Sequence, residues 1–205
     1  MLMDLHVHSN ISPCSILSLE DILDEARDRG LDGVCLTDHD TTAVRRMIED
    51  GPRPDGLVVL VGMEYTAFEA DVLLFGPEAG EVPPGLGANA VLDMAESAGW
   101  AAVVAHPFRE GWGPVEGVLR RSPGPCLETI NGRNAPEENR QAEAAAIRFG
   151  LAAAGGSDAH VPGDVGRAAT RFAGRIRSMA ELVRALRSRE FAPELTAYGA
   201  ANPLW

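Results

Sequence analysis

All five histidines of this 205-residue chain lie at the ends of apolar runs, in the company of acids. They fall in Asp4-Leu5-His6-Val7-His8, Thr37-Asp38-His39-Asp40, Ala105-His106-Pro107 and Ser157-Asp158-Ala159-His160. Histidines that merely fill space would scatter over helices and surface, and here none is left over. Imidazole beside carboxylate is the ligand chemistry of borderline and hard divalent cations, so the pattern points to a hydrolase built round several metal ions. Side chains two apart on a strand share a face, which puts His6 with His8 and Asp158 with His160. One H-x-H pair alone is as readily structural as functional. Two such pairs, with Glu64 and His106 also at strand ends, argue for metal. Gly155-Gly156, just before Ser157, would let backbone approach the site closely.

The elements that must position these residues alternate in type. Apolar runs bounded by glycine or polar residues predict strands at Met3–Val7, Gly33–Leu36, Leu57–Met63, Val72–Phe75, Ala101–Ala105, Leu127–Ile130 and Leu151–Ala154, the pattern of buried parallel strands. Helices are expected between them. Leu19–Arg29 has Ser18 and Asp21 as an acidic capping box and stops at Gly30. Ala90–Ala98 ends at Gly99, Pro136–Phe149 opens on proline and ends at Gly150, and Met179–Arg187 carries Ser178 and Glu181 as a capping pair. Weaker helices are expected over Thr42–Glu49 and Pro114–Arg121. Gly76–Gly87 reads as a loop, and the tail from Phe191 to Trp205 shows no period.

Polar residues then follow the strands in turn: His8, His39, Glu64, His106, Asn131 and Asp158. Groups at the carboxyl ends of so many successive strands meet only if those ends surround one mouth, as on the active face of a βα-barrel. An open sheet would gather them from two or three strands at one crevice. The expectation is therefore an α/β barrel.

Composition fits one compact domain, with 45% apolar and 23% charged residues. The net charge is −12 and all eighteen basic residues are arginine, which argues against a broad nucleic-acid-binding face. A nucleotide substrate is not excluded, because bound cations reverse the local field. Cys14, Cys35 and Cys126 are odd in number and form no C-x-x-C pair, so a reducing cytoplasm is expected. The amino terminus carries Asp4, His6 and His8 where a signal peptide has a basic and then an apolar region. No apolar stretch approaches the roughly 20 residues of a membrane span.

These motifs resemble those of the PHP (polymerase and histidinol phosphatase) family of metal-dependent phosphoesterases. The matches are Asp4–Ser9 to D-L-H-x-H-S, Thr37–Asp40 to T-D-H-D, Gly62–Glu64 to G-x-E, Ala105–Pro107 to A-H-P and Gly156–His160 to G-S-D-A-H. They run in family order from residue 4 to residue 160. The resemblance implies a single domain over residues 1–205, a distorted (β/α)7 TIM-like barrel with its metal site at the carboxyl ends of the strands. It also implies two to three divalent ions of zinc, manganese or iron. On the family pattern His6, His8 and Asp158 hold one ion and share Glu64 with a second, His106 belongs to the second, and His39 and His160 belong to the third.

Two positions depart from that pattern. Cys14 stands where many members complete the third site with Asp or His; a thiolate suits zinc better than manganese, and a small apolar cysteine is the other reading. Asp71 stands where related sequences carry histidine, and a carboxylate can replace imidazole as ligand. A hairpin after Glu64 would return Val72–Phe75 antiparallel and bring Asp71 to the same rim.

Asp4 and Asp38 are expected to orient imidazole N–H groups and Asp40 to cap the following helix. Arg109 and Arg133 are candidate phosphate clamps, and Asn131 either binds substrate or ties its loop. The implied activity is hydrolysis of a small phosphomonoester or nucleotide phosphate by water that bound cations acidify, with Glu64, Asp158 and Arg109 as the catalytic set. No obvious serine or cysteine triad competes with it. The alternatives are a metal-dependent amidohydrolase acting on a C–N bond and a non-catalytic module supporting a partner protein. The interval from Asp71 to His106 is too short for an inserted lid domain.

Overall fold

The structure of the chain is a computed structural model and describes residues 1–76, 79–110 and 115–203. Its first half runs β1 (Leu2–Val7), α1 (Leu19–Asp28), β2 (Gly33–Leu36), β3 (Gly51–Pro52), β4 (Val58–Val61), β5 (Met63–Thr66), β6 (Asp71–Phe75) and α2 (Ala88–Ser97). The second half runs β7 (Ala101–Val104), α3 (Glu116–Leu119), β8 (Cys126–Asn131), α4 (Pro136–Phe149), β9 (Ala152–Gly156), β10 (Ala168–Phe172), α5 (Met179–Ser188), β11 (Phe191–Leu195) and α6 (Ala197–Ala201).

The strands form two sheets, in the orders β11-β10-β1-β2-β4-β3 and β5-β6-β7-β8-β9. No continuous ladder runs round both. They are joined at the carboxyl ends of the strands, by a bridge between His39 and Glu64 on one side and between Val7 and Ala159 on the other. At the second seam Asp158 donates its N–H to the His6 carbonyl at 2.7 Å, and His8 donates to the Ala159 carbonyl at 3.0 Å. The result is a distorted barrel whose sheets are tied together beside the motifs.

Three apolar clusters fill this architecture. One draws on strands of both sheets (Met3, Leu5, Cys35, Leu60, Leu73, Val103, Ala154) and packs on Met179, Leu182 and Leu186 of α5, so it is the barrel interior. A second joins β5, β6, β7 and β8 to α2 and α4. The third joins β1, β2 and β4 to α1 through Ile22 and Ala26. Burial on both faces explains why the strands read as near-continuous apolar runs.

The caps behave as their chemistry requires. Ser18 and Asp21 exchange hydrogen bonds at the start of α1, and Pro136 opens α4, which ends on Gly150 at φ 64°. The predicted strand Leu57–Met63 is instead two strands that bend at Gly62, where a Cβ would lie 2.6 Å from the Leu74 carbonyl oxygen. Thr42–Glu49 is a single 3-10 turn at Ala43–Arg46, and Pro114–Arg121 shortens to Glu116–Leu119, with Pro114 outside the described residues. Pro77 and Glu78 of the Gly76–Gly87 loop also lie outside them. The tail without a period is not formless: β11 pairs antiparallel along all of β10, and α6 follows. β10 itself was not anticipated. All of Ala168–Phe172 but Arg171 is buried by neighbours on several sides, a tertiary effect that propensity does not carry. No described helix is long and apolar enough to cross a membrane.

Candidate metal centre

The histidines reach one place by way of irregularities in the strands. Along β1, Met3 and Leu5 belong to the interior cluster but Val7 belongs to the outer one, so the alternation breaks. A register shift between Asp4 and Val7 accounts for the break and turns His6 and His8 into the barrel mouth. Bulges of this kind re-aim side chains beside active sites. His106 at φ 25°, Asp158 at φ 57° and Asp40 at φ 53° lie in the left-handed region, which non-glycine residues occupy at a cost of about 1–3 kcal/mol each.

Three overlapping groups result, each with its ligand atoms within 4.8 Å of one another: His6, His8 and Asp158; His6, Glu64 and His106; and His8, His39 and His160. All five histidines are thus brought together, with Glu64 at the middle. Its Oε2 lies 3.2 Å from His6 Nε2, 3.0 Å from His8 Nε2 and 3.2 Å from His39 Nδ1. Its Oε1 lies 2.9 Å from His106 Nε2. One carboxylate therefore faces two sets of imidazoles through different oxygens, the geometry a bridge between two cations needs.

Asp158 divides its oxygens likewise. Oδ1 lies 3.4 Å from both His6 and His8 Nε2, and Oδ2 accepts from Arg109 Nη2 at 2.7 Å. Asp71 sits at the same rim as expected, on a hairpin that pairs Thr66 with Asp71. It is buried, with Oδ2 3.8 Å from His106 Nε2 and Oδ1 without a hydrogen-bond partner. It is not in the three groups, and neither is Cys14, which is exposed.

The donor set fits cations. His6 Nε2 and His8 Nε2 stand 3.0 Å apart and both face the same carboxylate oxygen. Burial opposes a charge on His6, yet Glu64, Asp158 and Glu128 outweigh it and hold its pKa well above the ordinary imidazole value. Burial likewise opposes ionised Glu64 and Asp158, and the neighbouring imidazoles still bring both well below the usual carboxylate range. Asp71 goes the other way: burial and then the Glu64 charge push it up to about 8. A raised acid beside two depressed ones marks surplus negative charge, which a divalent ion would neutralise. His160 is lowered to about 4, by burial and then by His8, and His39 is lowered by burial. Both are thereby kept in the neutral form that can ligate.

The supporting acids differ from their sequence expectations. Asp4 does not touch an imidazole; it accepts backbone N–H groups from Ser157 (2.8 Å), Gly166 (2.9 Å) and His6 (3.2 Å), tying β1 to the loops after β9. Burial raises it to about 6 despite these bonds. Asp38 acts at one remove: it accepts from the Ser12 hydroxyl at 2.7 Å, and Ser12 Oγ lies 3.3 Å from His8 Nδ1. Asp40 caps no helix; its Oδ1 accepts the Thr66 N–H at 2.9 Å, fastening the β5–β6 hairpin.

Arg109 is already engaged. Beyond Asp158, its Nη2 donates to Asn131 Oδ1 and its Nε to Asn134 Oδ1, both at 2.9 Å. Arg133 is exposed near the mouth and makes no ion pair among the described residues. Asn131 ties its own loop, accepting the Arg133 N–H at 2.9 Å.

Sequence reasoning passed over Glu128. It is 1% exposed, with Oε1 3.0 Å from His6 Nδ1, and Oε2 accepts the His106 N–H and Asn131 Nδ2, both at 2.9 Å. The available signal was an acid inside the Leu127–Ile130 strand, two residues before Ile130.

A barrel whose mouth gathers imidazoles and carboxylates from many strand ends defines a metal-site class of α/β protein. The chain belongs to the PHP family: residues 4–106 match the PHP domain and residues 136–191 match the PHP-associated region. It is 36% identical over 69 residues to a phosphoribosyl 1,2-cyclic phosphate 1,2-diphosphodiesterase of Eggerthella lenta, an alignment spanning 34% of this chain and 26% of that protein. PsfC from Pseudomonas syringae shares the fold with a TM-score of 0.78 at 20% identity, over 97% of this chain and 93% of that one. A two-domain protein of Bacteroides vulgatus containing a predicted PHP-like metal-dependent phosphoesterase gives 0.70 at 19% identity, over 96% and 65%.

Proposed function

We propose that the chain is a metal-dependent phosphoesterase acting on a small phosphomonoester or nucleotide phosphate. The observation that carries this reading is Glu64, buried, with one oxygen toward His6 and His8 and the other toward His106. On this reading His6, His8 and Asp158 hold one ion and share Glu64 with a second, which His106 and Asp71 also hold, and His39 and His160 belong to a third. Divalent ions bound there acidify water and neutralise charge on phosphoryl oxygens. The protein's own part is to fix the donors and to orient the substrate.

Arg109 performs the orienting step. Its Nε and Nη2 are held by Asn134, Asn131 and Asp158, which immobilises the guanidinium beside the donor groups. A planar donor fixed in this way pairs with a non-bridging phosphoryl oxygen at little entropic cost. Arg133, exposed at the same mouth, supplies a second cation for a dianionic group. Membership of the family and the likeness to a cyclic-phosphate diesterase support phosphate ester over amide as substrate.

The test is elemental analysis after loading with zinc, manganese or iron, followed by a screen of phosphomonoesters, nucleotides and amides on the loaded protein. Two or more equivalents per chain and turnover of a phosphoester are expected. One equivalent or fewer would count decisively against the bridged site, and turnover of amides alone would make the chain an amidohydrolase.

A further inference from the structure

We propose that Glu128 is a positioning residue that sets both ion sites of the bridged pair from one buried carboxylate. The inference rests on the metal-centre reading and adds to it a group that touches no ion.

A fully buried carboxylate is costly to ionise unless its lone pairs are met by donors. Glu128 has three: His6 Nδ1 at 3.0 Å on Oε1, and the His106 N–H and Asn131 Nδ2 at 2.9 Å on Oε2. A carboxylate only accepts, so His6 must carry its proton on Nδ1. The lone pair of Nε2 is then turned toward Glu64 and Asp158, the only tautomer of His6 that can ligate there. The other oxygen performs a different task. His106 sits at φ 25°, outside the ordinary regions for a side-chain-bearing residue, and its N–H is held by Glu128. His6 belongs to the first and second donor groups and His106 to the second, so both sites of the pair depend on this acid.

Backbone packs closely on Glu128. A Cβ on Gly156 would lie 2.9 Å from its Oε1 and 2.5 Å from the His6 Cβ, so residue 156 is glycine where backbone presses on this pair. The contact continues through Asn131, whose Nδ2 also reaches Asp158 Oδ2 at 3.3 Å and whose Oδ1 accepts from Arg109. Glutamine has the same size but cannot satisfy the same donors. With its oxygen toward His6, its NH2 meets the N–H of His106 and the amide of Asn131. Turned over, it donates to His6 Nδ1 and moves the imidazole proton to Nε2.

The experiment uses the full chain, stripped and titrated with zinc against a chromophoric chelator, with long-range proton–nitrogen correlation spectra of the histidine rings in the zinc-loaded state. In the parent, His6 should show a protonated Nδ1 and a zinc-shifted Nε2. Glu128→Gln should weaken zinc binding about 10- to 100-fold and change the His6 pattern, with Glu128→Asp recovering part of both. Parent spectra with the proton on Nε2, or with Nδ1 as the ligand, would overturn the proposal, and they need no variant to fold. So would a Glu128→Gln protein that binds zinc as the parent does, or one that loses affinity with the His6 pattern unchanged. Failure of the parent to take up zinc would instead remove the metal-centre reading itself.

Discussion

The bridged pair and the third histidine group share His8 and yet are built on opposite principles. The pair is shut away: His6, His8, Glu64 and Asp158 are at most 1% exposed, and four carboxylates (Glu64, Asp71, Glu128 and Asp158) lie in or against it. The group of His8, His39 and His160 draws all three of its donors from imidazole, with the Glu64 carboxylate beside it at 3.2 Å from His39, and the side chain of His39 is 32% exposed. Ligands that carry charge and are cross-braced bind a cation tightly but tolerate little alteration. Neutral ligands at a rim bind less tightly and can exchange. On the proposed reading the pair would be permanent and a third ion replaceable.

Glu64→Gln should test this most severely. It weakens both members of the pair at once and should lower kcat/KM by roughly a thousandfold or more, given the several kcal/mol that metal charge supplies. Elemental analysis should show the pair lost together; retention of one equivalent would mean that Glu64 is not shared.

Arg109→Ala should lower kcat/KM about 10- to 100-fold, as expected for removing a charge-assisted hydrogen bond. Taken as a clamp on substrate alone, Arg109 would leave metal content unchanged. Its 2.7 Å bond to Asp158 Oδ2 changes that expectation: ion affinity should weaken too, and Arg109→Lys should recover little, because an ammonium cannot hold Asn134 and Asp158 together. Metal titrations that overlay the parent's would reduce Arg109 to the clamp role.

His39→Ala separates the two regions. It should cost at most one equivalent of metal and less than about tenfold in kcat/KM, or about 1.4 kcal/mol. A collapse equal to that of Glu64→Gln would make the third group as essential as the pair.

The smallest effect concerns the metal-free protein. Asp71 is raised to about 8 from its ordinary value of 3.8, so between these pH values the folded chain holds a proton that the unfolded chain has released. Stability attributable to this group is therefore full below the lower value and falls as pH rises toward the upper one. Asp71→Asn should raise the melting temperature relative to the parent by a few degrees at pH 8 and by little near pH 4, read by thermal denaturation in chelator. Added metal should reverse the order if Asp71 is a ligand, since the parent then gains binding energy that the variant lacks. A difference independent of both pH and metal would remove Asp71 from the site.

Much of this was legible because the ligands follow strands that read clearly. Gly33–Leu36 and Pro136–Phe149 have the predicted limits, set by glycine and proline punctuation with a buried run between. The convergence of His8, His39, Glu64, His106 and Asp158 followed from their places after successive strands. What could not be read depends on contacts distant in sequence. Glu128 sits beside Thr129 in a strand like any strand acid, and only the pairing of β8 with β9 and the approach of β1 show what it faces. Asp4 lies beside His6 in sequence, yet it is spent on Ser157 and Gly166, more than a hundred residues away. β10 and β11 carry no clear period because each is shaped by the strand beside it.

The seam between β1 and the segment after β9 has a consequence for how the molecule comes into being. His6 and Asp158 belong to one donor group, and their strands are tied by the bonds of Asp158 to His6, of His8 to Ala159 and of Ser157 to Asp4. Contacts across such a span close slowly, because the chain's freedom is lost before the contacts form. A growing polypeptide carries its first histidines long before their carboxylate partner has been synthesised. On the proposed reading the first ion site would come into existence only with the joining of the two sheets, and uptake of that ion would act as a clock for the completion of folding.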